Sequence, residues 1–390
     1  MPLLVVLACA CFVGGLAIRM IDPLVPAVAA DLLTAEANVS LLASAYAIPY
    51  ALVQPVLGPA GDRLGKVRVI KVCLFFLSFA TMLAAFATTI EVMFIARVLG
   101  GLAGGGIIPL AIASIGDRVP FEQRQVALSQ ILTAMIAAVL VGTVGTGFLA
   151  TLIGWRGVLV TAAVMTGAVF VMATFSLRAR PRAVRLGENP GSTRASVLDG
   201  YRRIFANRRA YVCYSAVFFE GVLILGLLPY VATLLAARGA GGIFEAGLVL
   251  AGMAIGGLVY TQIAARFIGR MGGISNLVRL GGVLAAIGYL GIATQGSWPL
   301  EMAAFMLLGF GFYSIHNSLQ TQATELAPQH RGAAVALHAF FFFLGQSVGP
   351  LFYAAAFDIA PPQPVIATVG VVAFGLSMVL AHALSRPVRR

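Results

Sequence analysis

Apolar residues in this chain run in long unbroken blocks. Approximate bounds are 3–28, 38–58, 69–90, 92–116, 126–152, 157–177, 210–236, 245–267, 275–294, 299–324, 332–357 and 364–384. A helix needs about 20 predominantly apolar residues to cross a bilayer, and each block supplies them. Strands of a membrane barrel would instead show alternation over about ten residues per segment. Charged or turn-forming stretches separate most blocks, among them Gly61-Asp62-Arg63, Asp117-Arg118-Val119-Pro120, Gly154-Trp155-Arg156 and Ala327-Pro328-Gln329. The pattern predicts an all-α membrane protein with twelve transmembrane helices. No Lys or Arg precedes the first block, so it is read as a retained helix and not as a cleaved signal.

The longest polar stretch, Leu177 to Arg209, holds nine arginines with Pro181, Gly187, Pro190 and Gly191. It divides the chain into a first bundle (1–177), an Arg-rich cytoplasmic linker (178–209) and a second bundle (210–390). Punctuation recurs between the halves. Asp62-Arg63-Leu64-Gly65-Lys66 follows the second block, and Arg266-Phe267-Ile268-Gly269-Arg270 follows the eighth, placing Gly65 and Gly269 204 residues apart. Asp117, Pro120 and Arg124 after the fourth block correspond to Glu325, Pro328 and Arg331 after the tenth, at offsets of 208, 208 and 207. Two pseudo-symmetric six-helix bundles related by a parallel repeat form a transporter plan that works by alternating access. A receptor or scaffold that kept the duplication is the other reading.

Composition narrows the classes. With 60% hydrophobic and 10% charged residues, the chain is far from the range of soluble enzymes and cytosolic nucleic-acid binders. The net charge of +12 would suggest nucleic acid in a soluble domain. Here the loops account for it. If both termini are cytoplasmic, 22 of the 26 Lys and Arg lie on that side, while only Arg156 and Arg238 fall outside and Arg19 and Arg97 within spans. That asymmetry sets the orientation. Cys9, Cys11, Cys73 and Cys213 sit inside apolar runs and read as small packing residues. The chain shows no phosphate-binding loop, no metal-ligand spacing and no nucleophile–base constellation. The expectation is therefore a non-enzyme with no cofactor and no metal. Its expected partners are a small-molecule substrate, protons and the lipid bilayer, with no nucleic acid. One chain already holds both halves, so a monomer is expected.

Gly58-Pro59-Ala60-Gly61-Asp62-Arg63-Leu64-Gly65-Lys66-Val67-Arg68 resembles the signature loop between helices 2 and 3 of the major facilitator superfamily. Arg97 with Gly100 resembles the helix 4 motif of the family's exporter branches. Gly142-Thr143-Val144-Gly145-Thr146-Gly147, followed by Gly154-Trp155-Arg156, resembles its helix 5 antiporter motif and exit. The likeness covers the whole chain and is greatest to the twelve-helix drug–proton antiporter branch. Thr143 stands where that motif usually has Pro, and Thr146 where Gly is common, which weakens the inference of antiport. The resemblance implies a cytoplasmic gate built from Gly58, Asp62, Arg63, Gly65, Lys66, Arg68, Asp117 and Arg124, with Asp62 holding the inner side shut. Without the resemblance, Asp62 reads as a pairing or helix-capping acid, or as part of a solvated basic loop.

A charge at the centre of a spanning helix costs about 2.5–3.5 kcal/mol on insertion scales, and four candidates carry that cost: Arg19, Asp22, Arg97 and Glu220. Glu220 has no Lys or Arg within ten residues. It reads as a proton-coupling acid, or as a neutral hydrogen-bonded structural one. Asp22 shares a helix face with Arg19 three residues before it. The two can pair; alternatively Asp22 joins the coupling or lines an outer vestibule, and Arg19 binds an anionic substrate group. Arg97 is placed early in helix 4, near the cytoplasmic end, where it can snorkel; the resemblance implies that it supports proton transfer or the inner gate, and a structural role is the other reading. A polar stripe on helix 10 (His316, Asn317, Gln320, Thr321, Thr324) points at a cavity or a partner helix. Tyr46, Tyr50 and Gln54 on helix 2, and Tyr230 beside Pro229, are further candidates to line a substrate cavity. Gly100, Gly101, Gly104, Gly105 and Gly106, and Gly252, Gly256 and Gly257, form small-residue faces for close helix packing. The expected function is proton-coupled efflux of small amphipathic or apolar compounds from a bacterial inner membrane. The alternative is an importer or facilitator of a small metabolite or organic anion.

Overall fold

The computed structural model describes residues 2–119, 121–177, 201–270, 273–327 and 331–385. All regular structure among them is helical. In chain order the α-helices are α1 (Pro2–Arg19), α2 (Val25–Asp31), α3 (Glu36–Ser40), α4 (Leu42–Leu64), α5 (Lys66–Ala85), α6 (Ile90–Gly104), α7 (Ile107–Arg118), α8 (Phe121–Leu140) and α9 (Thr146–Ser176). They continue as α10 (Arg208–Leu223), α11 (Val231–Ala237), α12 (Ile243–Arg270), α13 (Ile274–Ala293), α14 (Trp298–Glu325), α15 (Arg331–Ile359) and α16 (Pro362–Ser385). Ten helical stretches among the described residues are long and apolar enough to cross a membrane.

Two of the predicted continuous helices break at a proline. The first block stops at Arg19 and resumes through a 3-10 turn, Asp22–Leu24, before α2. The seventh stops at Leu223 and passes through the 3-10 segment Leu225–Tyr230 into α11. Pro23 and Pro229 are 206 residues apart, in step with the repeat. Proline removes an amide donor and clashes with the preceding turn, which weakens the α-helical ladder at these points. Carbonyls freed inside a bilayer need other donors. At the second break the Leu223 carbonyl accepts both the Tyr289 and Tyr353 hydroxyls, at 2.8 and 2.7 Å.

A third break lies within the stretch Thr133–Ser176. Gly154 has φ +70° and ψ 170°, a backbone that an L side chain rarely adopts. Just before it, Val141–Gly145 form a π-helical turn. The Thr143 hydroxyl there returns a hydrogen bond to the Val139 carbonyl at 2.9 Å.

The chain forms two compact units, Met1–Arg182 with Leu228–Ala251, and Ala183–Leu227 with Gly252–Arg390. In the first, the glycines of α6 receive α4. A Cβ at Gly101 would overlap the Tyr46 carbonyl, and one at Gly104 the Tyr46 hydroxyl. Close approach of this kind is what binds helices where lipid removes the hydrophobic drive. The Ser40 hydroxyl reaches the Pro229 carbonyl at 3.4 Å, tying residues far along the chain into this unit. In the second unit α13 packs on α14 and α16, and α10 on α15.

Candidate functional site

Each unit buries its own charged cluster. In the first, Arg97 of α6 is only 4% exposed. Its Nη1 donates to the Ala17 carbonyl at 2.9 Å and its Nε to the Leu42 carbonyl at 3.3 Å. Its guanidinium lies 4.2 Å from the centroid of the Tyr46 ring, a cation–π contact. Ala17 is near the end of α1 and Leu42 begins α4, so Arg97 sits at the end of these helices away from Gly65 and Lys66. This corrects the expected position: the side chain is at the opposite end from the basic loop and does not snorkel. Ala17 has a carbonyl to offer because it lies in the last turn of α1.

Arg19 and Asp22 pair at 3.4 Å, as their spacing allows, with Asp22 buried in the 3-10 turn. Tyr46 stacks on Tyr50 with ring centroids 6.0 Å apart, and both rings are buried in the packing against α6. Gln54 keeps a buried Nε2 without a hydrogen-bond partner, and Tyr230 is buried at the end of the second 3-10 segment. Of the expected gate residues, Lys66 reaches Asp117 at 2.5 Å, joining the start of α5 to the last turn of α7. Gly65 turns the chain between α4 and α5 with φ +92°, and Arg68 is exposed. The side chains of Asp62, Arg63 and Arg124 and the surroundings of Gly58 lie outside what is described, as do the side chain of Thr324 and the residues 178–200. Arg156 pairs with Asp31, lies over the Trp155 ring and donates to the Ala87 carbonyl at 2.9 Å.

In the second unit Glu220 of α10 is 6% exposed. Its Oε2 meets His316 Nδ1 of α14 at 2.8 Å, so the acid that looked isolated along its own helix has a partner 96 residues away. Its Oε1 has no hydrogen-bond partner. The His316 ring packs against Phe312 at 5.2 Å, Phe342 at 4.6 Å and His338 at 5.1 Å. His338 of α15 is 2% exposed, and its Nε2 also lacks a partner. Sequence reading passed over His338. The test that singled out Glu220, an ionisable residue inside an apolar span, would have found it. Glu301, buried in the first turn of α14, was likewise missed; an acid there complements the helix dipole. On the polar stripe, Asn317 hydrogen-bonds Tyr260 while Gln320 is exposed.

Among the described residues no group of three or more His, Cys, Asp or Glu is placed to hold a metal ion. What the second cluster offers is a carboxyl and two imidazoles in contact, enclosed by aromatic rings, in helices of spanning length. Ionisable groups kept inside the spans of a polytopic helical protein mark ion or substrate pathways.

The comparisons name the family. The family model of the Major Facilitator Superfamily matches residues 7–350 and 242–389, and the chain belongs to that family. It is 23% identical to the multidrug resistance protein 1 of Bacillus subtilis (strain 168), over 95% of this chain and 93% of that one. It is 23% identical to the quinolone resistance protein NorA of Staphylococcus aureus (strain MSSA476), over 96% of this chain and 95% of that one. Among solved structures, a bacterial homologue of the human lysosomal transporter Spinster, inward-facing and unoccupied, aligns with a TM-score of 0.82 at 17% identity, covering 100% of this chain and 98% of that chain. A D-xylose–proton symporter aligns with a TM-score of 0.76 at 16% identity, covering 96% of each. The chain is thus a major facilitator transporter and a multi-pass protein of the bacterial inner membrane, with efflux transporters among its relatives. Its family is one of transporters of small molecules, not of enzymes.

Proposed function

We propose that this protein exports small amphipathic or apolar compounds by alternating access, with protons moving the other way. Glu220 is the coupling residue. The observation that carries this reading is the buried carboxyl with one oxygen on His316 and the other unpartnered. Such a group can take a proton without dismantling an ion pair. Asp22 is the weaker candidate, since Arg19 already engages it. The same contact occupies the side chain on which the organic-anion importer reading relies.

Twelve spans with both termini cytoplasmic fit this proposal. α4 adds a span of 23 residues that the hydropathy of its Pro- and Gly-containing sequence understates, and Gly154 divides the 44-residue stretch Thr133–Ser176 in two. The substrate cavity is assigned to Arg19, Tyr46, Tyr50, Gln54, Tyr230, His316, Asn317 and Gln320. The inner gate is assigned to Gly58, Asp62, Arg63, Gly65, Lys66, Arg68, Asp117 and Arg124. Arg97 serves as a fixed strut between helices. The carrier works as a monomer.

The test is transport by the protein in liposomes under an imposed pH gradient. Glu220→Gln is expected to lower proton-driven drug flux at least about tenfold, one 1.4 kcal/mol step. It should leave folding intact, because the amide oxygen can still accept from His316. Wild-type flux in that variant would remove Glu220 from the coupling.

A further inference from the structure

Residues 201–206, just before α10, are helical, and their apolar side is fastened to the second unit. Tyr201, Ile204 and Phe205, spaced three and four apart, pack into a buried cluster that includes Tyr214 of α10, Leu326 of α14 and Leu380 of α16. Asn207 then donates to the Leu326 carbonyl at 3.1 Å. Arg202 and Arg203 are left exposed on this segment, and Arg208 is exposed where α10 begins. Exposed Arg279 of α13 belongs to the same end, because Ser275, one turn before it, donates to the Ala381 carbonyl near the close of α16. Among the described residues at this end the acid is Glu325.

An apolar cavity of about 360 Å³ starts one helical turn further on, walled by α10, α13, α14 and α16 of the second unit alone. Tyr211 and Val212 border it three and four residues after Arg208, the spacing of one helix face. The Phe205 ring lies 5.8 Å from that of Tyr211, so the basic segment adjoins the mouth. Along α10 the cavity runs from Tyr211 to Ile224, thirteen residues or roughly 20 Å at 1.5 Å per residue. Its edges include Phe219 of α10 and Leu376 and Val379 of α16, all exposed. Contiguous exposed apolar surface on helices of spanning length is membrane contact.

We infer that this slot is a binding site for one anionic phospholipid, with an acyl chain lying along α10 and the phosphate headgroup held by Arg208 and Arg202. Shape and charge point to the same occupant. The slot is long and apolar, and its length is close to the depth of one leaflet, about 15 Å or half of the hydrocarbon core. That is the length of a tail and not of a compact solute. Cations stand at one end of it. Arginine takes phosphate oxygens in a two-pronged hydrogen bond, and basic residues on an amphipathic segment beside a spanning helix draw anionic headgroups. A zwitterionic lipid would fill the slot with the same tail but bring a second cation to the arginines and lose the net attraction. The helix at 201–206 is too firmly packed to swing away from the mouth, so the arginines are held ready for the headgroup. Glu220 also borders the cavity, and the site needs nothing from its carboxyl. It is therefore independent of the proposed coupling.

The experiment places the full-length protein in phosphatidylcholine nanodiscs doped with a trace of phosphatidylglycerol carrying a diazirine on one acyl chain. Phosphatidylcholine with the same diazirine chain is the control lipid. After illumination, adducts are mapped by peptide mass spectrometry. Phosphatidylglycerol is expected to label the Tyr211–Leu223 and Ala373–Leu380 peptides about tenfold over phosphatidylcholine, the margin that one or two arginines supply at a membrane surface. The α5 peptide controls for lipid that merely surrounds the protein, since α5 also starts with basic residues, Lys66, Arg68 and Lys71, and exposes Val72, Phe75 and Phe76. Its preference for phosphatidylglycerol should be several-fold smaller. Arg208→Gln should cut the preference at the slot and leave that at α5 unchanged. Ser215→Trp, at an exposed position in the wall, should lower slot labelling by both lipids. Equal labelling of the wild-type slot by the two lipids, or a preference no larger than at α5, would overturn the proposal without any variant having to fold. An undiminished preference in Arg208→Gln would overturn it as well.

Discussion

The two buried clusters solve the same problem in opposite ways. Arg97 is closed: two backbone carbonyls and an aromatic face take up its charge, and all three partners are fixed by helix packing. The Glu220 cluster is open: one carboxylate oxygen and one imidazole nitrogen are buried without partners. A satisfied buried charge holds helices in register, since every rearrangement loses bonds. An unsatisfied one costs stability and persists where something else, such as a proton or a ligand, completes it. The proposed roles, support for the first cluster and coupling for the second, rest on this contrast.

The largest effect is expected at the closed cluster. Arg97→Ala orphans the Ala17 carbonyl and empties the space over Tyr46, and should destabilise the protein by on the order of 3 kcal/mol. Thermal unfolding in detergent measures this; a melting temperature close to wild type would erase the distinction between the clusters. Next comes Gly101→Val, which drives two methyl groups into the Tyr46 backbone. A loss of about 1–3 kcal/mol is expected from overpacking, and the same melt reads it.

At the open cluster the sign of the comparison reverses. His316→Phe should cost about 1–3 kcal/mol by stripping Glu220 of its one bond, whereas Glu220→Gln should stay within about 1 kcal/mol, because its Oε1 is already orphaned. If both substitutions cost equally, Glu220 is as closed as Arg97. The smallest effect belongs to the surface. Lys66→Ala breaks a half-exposed pair with Asp117 and should shift stability by less than about 1 kcal/mol. Any larger change in flux than in stability would sharpen the gate assignment. The doubly exchanged variant Lys66→Asp with Asp117→Lys should then restore that flux.

The division between what could be read along the chain and what could not follows separation in sequence. Arg19 and Asp22 lie one helical turn apart, so their pairing was legible from spacing. Gly154 was legible as punctuation between two apolar blocks, and its backbone explains why glycine stands there. Glu220 stood out because a charge inside an apolar block is costly wherever the helix lies. Its partner did not, because nothing along α10 points to a histidine 96 residues on. The acceptors of Arg97 lie 80 and 55 residues before it. Its level in the helix was misread although cytoplasmic termini already place the start of the fourth block on the outer side. The breaks at Pro23 and Pro229 were not legible, since Pro49, Pro55, Pro59 and Pro350 stand inside helices that continue, and neither were the two tyrosines that satisfy the second break.

Sequence alone determined the environment of each segment. Continuous apolar blocks, basic loops and a repeated signature fix a helical membrane carrier, because transfer of a side chain into lipid depends on the residue and hardly on its neighbours. Tertiary structure decided which buried charges are satisfied. Hydrogen bonds act over about 3 Å, and only the packing of α10 on α14 and α15, or of α6 on α1 and α4, brings the groups within that distance. The same packing of α10, α13, α14 and α16 encloses a cavity beside Glu220 that no pattern along the chain announces.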